Sequence, residues 1–336
     1  MKEAMLYEKL PEQRVKCNLC NHRCLIGEGK KGICAVRENR GGTLHTLVYR
    51  RLISRNVDPV EKKPMFHFAP GSRSFSIATV GCNFRCDFCQ NHEISQMPRE
   101  ENQITGQDVA PEEIVAMARK TGCKTIAYTY TEPTIYFEYA YDIARRADKE
   151  GLKNIFVTNG YMTEEALRTF HPHLHGANVD LKAFRDEFYR ERCGARLEGV
   201  LHSLRVMKEL GVWVEITTLI IPGLNDSEEE LRDLARFIVS LGKEVPWHIS
   251  RFHPMYKMLD RSPTSVKILE RARKIGMDAG LRYVYTGNVP GDPGEDTFCH
   301  HCGQLLVDRL GFQILKNQMQ EKKCFKCGTE MDGVDL

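Results

Sequence analysis

"GCNFRCDFCQN", residues 81–91, sets three cysteines at a C-x3-C-x2-C spacing directly after the apolar run "FSIATVG" (75–81). A strand that ends in three closely spaced thiols predicts a metal centre at the strand's C-terminal end. Cubane iron–sulfur clusters hold four irons and are bound by thiolates. Three protein thiolates, from Cys82, Cys86 and Cys89, leave one iron with an open position, which is what a catalytic metal needs. A bidentate small molecule, such as the amino and carboxylate groups of a methionine moiety, can fill that position. The competing reading is a zinc knuckle that borrows a distant fourth ligand.

Working outward from 81–91, strand and helix candidates alternate. The strands are "FSIATVG" (75–81), "KTIAYTYT" (124–131), "NIFVTNG" (154–160), "ANVDLKAF" (177–184), "WVEITTLII" (213–221), "PWHISRF" (246–252) and a weaker "RYVYTGN" (282–288). Helix candidates between them include 111–122, 135–151, 198–211 and 227–242, the last opening on Ser227 and Glu230 as a capping box. This alternation predicts parallel βα units. The expected fold is α/β, a full or partial (β/α) TIM-like barrel of about six parallel strands with its chemistry at the strand C-termini. A doubly wound open sheet is the competing architecture. The expected organisation is a cysteine-rich cap over 1–70, the barrel over 71–290 and a small metal-binding domain over 291–336.

The 336 residues carry a net charge of +3, 42% hydrophobic and 28% charged side chains, an ordinary globular balance. Near-neutral charge without an aromatic–basic stretch argues against a nucleic-acid partner. No apolar run is long enough to span a bilayer, and no secretory signal is visible, so the chain reads as cytoplasmic. Thirteen cysteines, eleven of them clustered, argue for metal rather than disulfides. Cys299, Cys302, Cys324 and Cys327 form two C-x2-C knuckles that suit structural zinc or a rubredoxin-like iron. Cys17, Cys20, Cys24 and Cys34, with His22 among them, close either a zinc site, the favoured reading, or an auxiliary iron–sulfur cluster. Cys123 reads as a small core residue. Cys193, in "RERCGAR" (190–196), is predicted to have a lowered pKa beside its arginines and to suit a hydrogen-atom relay or a substrate contact.

At Cys82, Cys86 and Cys89 the sequence resembles the radical S-adenosylmethionine (radical SAM) superfamily. "CQN" (89–91), "TNG" (158–160), "DLK" (180–182), "PGLND" (222–226) and "FH" (252–253) are similar to the pyruvate formate-lyase activating enzyme. The radical SAM component of the AmmeMemoRadiSam system is similar over nearly the whole chain, from "CNLCNHRCLIGEGKKGIC" (17–34) to "YTGNVPGDPGEDTFCHHCG" (285–303).

Strand alternation places Asn178, Asp180 and Lys182 on one face of "NVDLK", an expensive set to bury unless paired or functional. An Asp180–Lys182 pair satisfying itself is the plain alternative. The resemblance implies that Lys182 and His253 meet the bound S-adenosylmethionine, and that Phe88 and Asn91 contact its adenine. It implies further contacts from Thr131, Glu132, Thr158, Asn159 and Asp180. In "TYTEP" (129–133), Tyr130 and Thr131 stand where relatives have two glycines, while Glu132 and Pro133 remain. Val157 and Thr217 stand where the activating enzyme has an aspartate and an arginine. The resemblance implies a 4Fe–4S cluster and S-adenosylmethionine as cofactors; the outer cysteine groups add zinc at the C-terminus and, as the favoured reading, at the N-terminus. The implied partners are an electron donor such as flavodoxin or ferredoxin and a protein substrate of the glycyl radical type, or other AmmeMemoRadiSam components. Radical modification of a small molecule or nucleic acid, and a non-catalytic metal-binding module, are the alternatives.

Overall fold

A computed structural model describes all residues, 1–336. Its centre is one eight-stranded sheet: β1 (Ser54–Pro59), β2 (Arg73–Ala78), β3 (Thr125–Tyr128), β4 (Lys153–Thr158), β5 (Gly176–Asp180), β6 (Trp213–Ile220), β7 (Trp247–Arg251) and β8 (Val284–Gly287). The strands lie in sequence order, and every pair from β2 to β8 is parallel. A doubly wound sheet would reverse that order at a switch point, so the competing architecture is excluded. All seven strand candidates, the weaker 282–288 among them, form the parallel strands β2 to β8, against an expected count of about six. The edges β1 and β8 do not pair, so the sheet is not a closed ring.

Six helices make the crossovers: α1 (Pro111–Lys120), α2 (Phe137–Lys149), α3 (Glu164–Phe170), α4 (Leu197–Glu209), α5 (Glu228–Leu241) and α6 (Val266–Asp278). At α5 the Ser227 hydroxyl accepts from the Glu230 amide at 3.3 Å, but Glu230 does not return the bond. Its carboxylate accepts from the Phe184 amide at 2.6 Å, so the expected capping box is only half formed. No helix is long and apolar enough to cross a membrane.

Residues 1–70 do not all stand apart from the sheet. Short antiparallel strands, including Tyr7–Leu10, Arg14–Cys17, Arg37–Arg40 and Thr43–Thr46, make the outer part. β1, however, pairs antiparallel with β2 from Ser54↔Ala78 to Pro59↔Arg73. The chain then crosses beneath the sheet, where Met65 and Phe68 pack with Ala127 and Ile155. A Cβ on Gly176 would stand 2.9 Å from the Phe68 ring, so glycine at the start of β5 makes room for this plug.

A buried carboxylate ties the plug to the strands. Glu215 of β6 accepts from the amides of Phe66 and His67 at 3.0 and 2.8 Å, from Trp213 Nε1 at 3.1 Å and from His248 Nε2 at 2.7 Å. His67 contacts the Asp332 carbonyl at 2.7 Å and the Tyr285 hydroxyl at 2.6 Å, joining plug, β8 and C-terminus. The module after β8 packs through Phe66, Tyr283, Tyr285, Leu306 and Val307. Burial pushes the His67 pKa down to about 4. Between the ordinary imidazole value near 6.5 and that value, the unfolded chain binds a proton that the fold refuses. Stability should therefore fall as pH drops from about 6.5 to about 4, by up to about 3 kcal/mol. Thermal midpoints measured across that range should show this slope, and His67→Gln should flatten it.

Candidate active site

The loop 82–89 leaves the C-terminal end of β2 and is fixed by its backbone. The Arg85 amide donates to the Cys193 carbonyl at 2.9 Å, and the Asp87 amide to the Arg192 carbonyl at 3.2 Å. Gln96 Nε2 and Arg99 Nη1 donate to the Phe84 carbonyl at 3.2 and 3.3 Å. The partner of this loop is a single π-type turn, Tyr189–Cys193, closed by Gly194 at φ 71°. A Cβ on Gly194 would stand 2.6 Å from Arg85 Nε, so glycine meets both the left-handed backbone and the close approach.

The three thiols are held in a charged setting. Burial, then Glu132 and Cys86, push the Cys82 thiol well above its ordinary range. The Cys193 thiol, then burial, do the same to Cys86. Burial raises Cys89 against the Ser95 hydroxyl, which lies 3.3 Å from its sulfur. Lys182 lies near enough to favour thiolates at both Cys86 and Cys89. Burial opposes the Lys182 charge, but Asp180 and Cys86 hold its pKa well above the ordinary range. The Asp180–Lys182 pair predicted as the plain alternative does form, at 3.0 Å. It stands beside the thiols, so pairing with Asp180 and facing the cluster loop are compatible.

The other sequence-predicted residues surround this loop. The Asn159 side-chain amide donates to Asn83 Oδ1 at 2.7 Å and lies 3.8 Å from Cys82 Sγ. Thr131 Oγ1 donates to the Thr79 carbonyl at 2.8 Å, and Asn91 Nδ2 to the Tyr130 carbonyl at 2.7 Å. Phe88 is buried against Phe188, with Lys182 Nζ 5.9 Å from its ring centre. His253 is exposed just beyond β7. Thr217 donates to Asn178 Oδ1 at 2.9 Å, inside the sheet.

Glu132 differs from the expectation most. Its carboxylate is 1% exposed and accepts from the amides of Thr134 and Asn159 at 3.0 and 2.8 Å and from Thr158 Oγ1 at 2.7 Å, besides the Thr134 hydroxyl. One oxygen takes three of these bonds, so the group chiefly locks the β3 and β4 loops together. Tyr130 adopts φ 63°, left-handed like a glycine, and its hydroxyl donates to Asp58 Oδ2 at 2.5 Å. That anchor, reinforced by Lys63 over the Tyr130 ring at 4.6 Å, holds a non-glycine residue in a backbone conformation that favours glycine.

Cys193, read from sequence as a loop residue, is fully buried in the 189–193 turn, and its thiol faces Cys86 and Lys182. Arg192, predicted to act on it, instead pairs with Asp87 at 3.5 Å. Cys123 is buried with its sulfur 3.3 Å from Thr121 Oγ1, as a small core residue should be.

The donor set fits a cubane. Three thiols share one loop, a lysine supplies counter-charge, and Asn83 Nδ2 is buried beside them without a partner. The C-terminal quartet has different proportions. Cys299, Cys302, Cys324 and Cys327 offer sulfurs all within 4.8 Å of one another, with Cys299–Cys327 and Cys302–Cys324 at 3.7 Å. A single tetrahedral ion with metal–sulfur bonds of about 2.3 Å sets its thiolates about 3.8 Å apart, so this quartet suits one metal ion.

The sequence profile of the Radical SAM superfamily matches residues 76–238, which run from β2 through most of α5. An uncharacterized protein of Methanocaldococcus jannaschii is 45% identical over 335 residues, 99% of each chain. The chain belongs to the radical SAM superfamily. The pyruvate formate-lyase-activating enzyme of Clostridium pasteurianum is 24% identical over 230 residues, covering 63% of this radical SAM chain and 91% of that enzyme. Streptococcus suis SuiB bound to S-adenosylmethionine superposes with a TM-score of 0.52 at 13% identity, over 72% of this chain and 56% of the other, a likeness of fold.

Glu132→Ala would strand the Asn159 amide, the Thr134 amide and the Thr158 hydroxyl in a dry site. A destabilisation of about 3 kcal/mol is expected, measured by denaturant titration, against about 1 kcal/mol for Thr158→Ala.

Proposed function

We propose that this chain reductively cleaves S-adenosylmethionine and uses the resulting radical to abstract a hydrogen atom. The observation that carries the reading is the loop holding Cys82, Cys86 and Cys89 beside Lys182, with no fourth thiolate from the loop itself. Bound there, a 4Fe–4S cluster would supply one electron to the sulfonium, giving methionine and a 5′-deoxyadenosyl radical that takes hydrogen from its substrate.

The chain's own residues bind, orient and exclude water. Cys82, Cys86 and Cys89 act as cluster ligands. Asp180 and Lys182 present a paired charge toward the cofactor, and Lys182 offers donors to its carboxylate or ribose. Phe88 supplies an apolar wall and Asn91 a polar contact for the adenine, and His253 closes the nucleoside side from beyond β7. Thr158 and Asn159 are held in place by Glu132, which acts as a positioning residue, and Thr131 by the Thr79 carbonyl. No general acid or base is needed, so the demands on this site are geometric.

For the hydrogen donor, the likeness to the activating enzyme supports a glycine Cα–H in a partner protein, forming a glycyl radical. That partner, together with a one-electron donor of the flavodoxin or ferredoxin class and other components of an AmmeMemoRadiSam system, belongs to the proposal. A cytoplasmic setting and a zinc ion at the C-terminal quartet complete it.

Anaerobic incubation with dithionite and S-adenosylmethionine should yield 5′-deoxyadenosine. Cys86→Ala should reduce the yield by about a thousandfold or more, because a cluster ligand is lost. An unchanged yield in that variant would contradict the reading. Adding a glycyl radical candidate should produce an electron paramagnetic resonance (EPR) doublet from the glycine; added small molecules that turn over instead would redirect the substrate assignment.

A further inference from the structure

Cys17, Cys20, Cys24 and Cys34 come together, but not as the C-terminal quartet does. All four line one apolar recess with Leu19, Ile26 and Ile135. Yet no three of them approach within 4.8 Å, the spacing that the C-terminal four satisfy. Four thiolates on one ion must crowd to about 3.8 Å. In a cubane each thiolate binds a different iron, so its ligands stand farther apart around a larger body. The spacing therefore opposes zinc, the reading favoured from sequence.

A second observation points to a ligand in the same recess. Arg37 is 1% exposed, lines the recess and keeps an Nε–H with no partner. Its other nitrogens donate to Glu138 and to the Met5 carbonyl, which fixes the guanidinium in place. A buried donor left unmatched is costly, and an anionic cluster in the recess would supply its acceptor.

The recess also adjoins the radical SAM loop. His22 Nε2 contacts the Asn83 carbonyl at 2.9 Å. Arg99 Nη2 donates both to the Ile33 carbonyl at 2.8 Å and to the Cys82 carbonyl at 3.3 Å, spanning the two cysteine groups. A Cβ on Gly81, which has φ 103°, would stand 3.4 Å from the Cys34 carbonyl and 2.7 Å from Val36, so glycine permits the approach.

We infer that Cys17, Cys20, Cys24 and Cys34 hold a second, fully ligated 4Fe–4S cluster, set against the loop of the first. It rests on the proposed function only for its role. One electron from a flavodoxin- or ferredoxin-class donor takes this cluster from its oxidised to its singly reduced state. Passing that electron to the cluster on Cys82, Cys86 and Cys89 returns it to the oxidised state, with no atom transferred.

The test uses the full chain, reconstituted anaerobically with iron and sulfide, and reads metal content and EPR. About eight irons and one zinc per chain are expected, falling to about four irons in Cys82→Ala/Cys86→Ala/Cys89→Ala and to about four in Cys20→Ala/Cys24→Ala. The reduced wild type should give an EPR signal broadened by coupling between two neighbouring clusters, and each variant a sharp one. In Cys20→Ala/Cys24→Ala that sharp signal should still shift when S-adenosylmethionine is added. Four irons with two zincs in the wild type, or an iron-free Cys82/Cys86/Cys89 variant, would overturn the inference. Eight irons with no broadening would overturn the placement beside the first cluster. Eight irons without deoxyadenosine formation would count against the proposed reaction alone.

Discussion

The site depends on how the loop 82–89 is held. Three thiols must point at one volume while the backbone carrying them has no helix or strand to stiffen it. Two main-chain bonds, from Arg85 to Cys193 and from Asp87 to Arg192, fasten that loop to the 189–194 turn. Gly194 is the hinge that allows the contact, since any side chain there would strike Arg85. The same turn brings the Tyr189 hydroxyl to the Lys182 amide at 3.0 Å, fixing the lysine whose charge the thiolates need. Thiol placement, counter-charge and loop geometry are thus one cooperative unit, and a loss at any point is felt at the others.

Beneath this unit the sheet keeps a polar lining. Phe75 and Ile77 of β2 join the large core under the helices, while Ser74 and Ser76 take the other face and leave their hydroxyls buried without partners. Thr125 of β3 does the same. An ordinary core would place apolar groups there. The plug at Met65 and Phe68, locked by Glu215, closes the opposite end and leaves the strand C-termini as the working face. The C-terminal thiol quartet belongs to the module packed on that plug, which suits a structural metal better than one that serves the chemistry.

Much of this was legible in the sequence. All seven parallel strands stand where the sequence placed strand candidates, because apolar residues recur in each, and in β2 and β5 they alternate with the polar set on the other face. β1 did not, since "SRNVDP" is a polar, largely exposed edge strand with no such run. α3 spans seven residues, too few for a clear helical period. The three cysteine groups were plain from spacing alone. The position of Cys193 against Cys86 was not, because it arises from two segments about a hundred residues apart. The saturation of Glu132 was equally hidden: its donors come from two loops, and only the fold assembles them. The N-terminal quartet stayed open between zinc and an auxiliary iron–sulfur cluster, because cysteine spacing in sequence does not give the distances between sulfurs in space.

The central claim is that one corner of the cluster on Cys82, Cys86 and Cys89 is free for S-adenosylmethionine. Electron–nuclear double resonance on the reduced protein, with isotope labels in the cofactor's amino and carboxylate groups, tests it directly. The account predicts hyperfine coupling from both labels to the cluster, retained in Cys193→Ser. Absence of coupling, together with a change of the cluster spectrum in Cys193→Ser that signals a lost ligand, would show the corner held by the protein and contradict it.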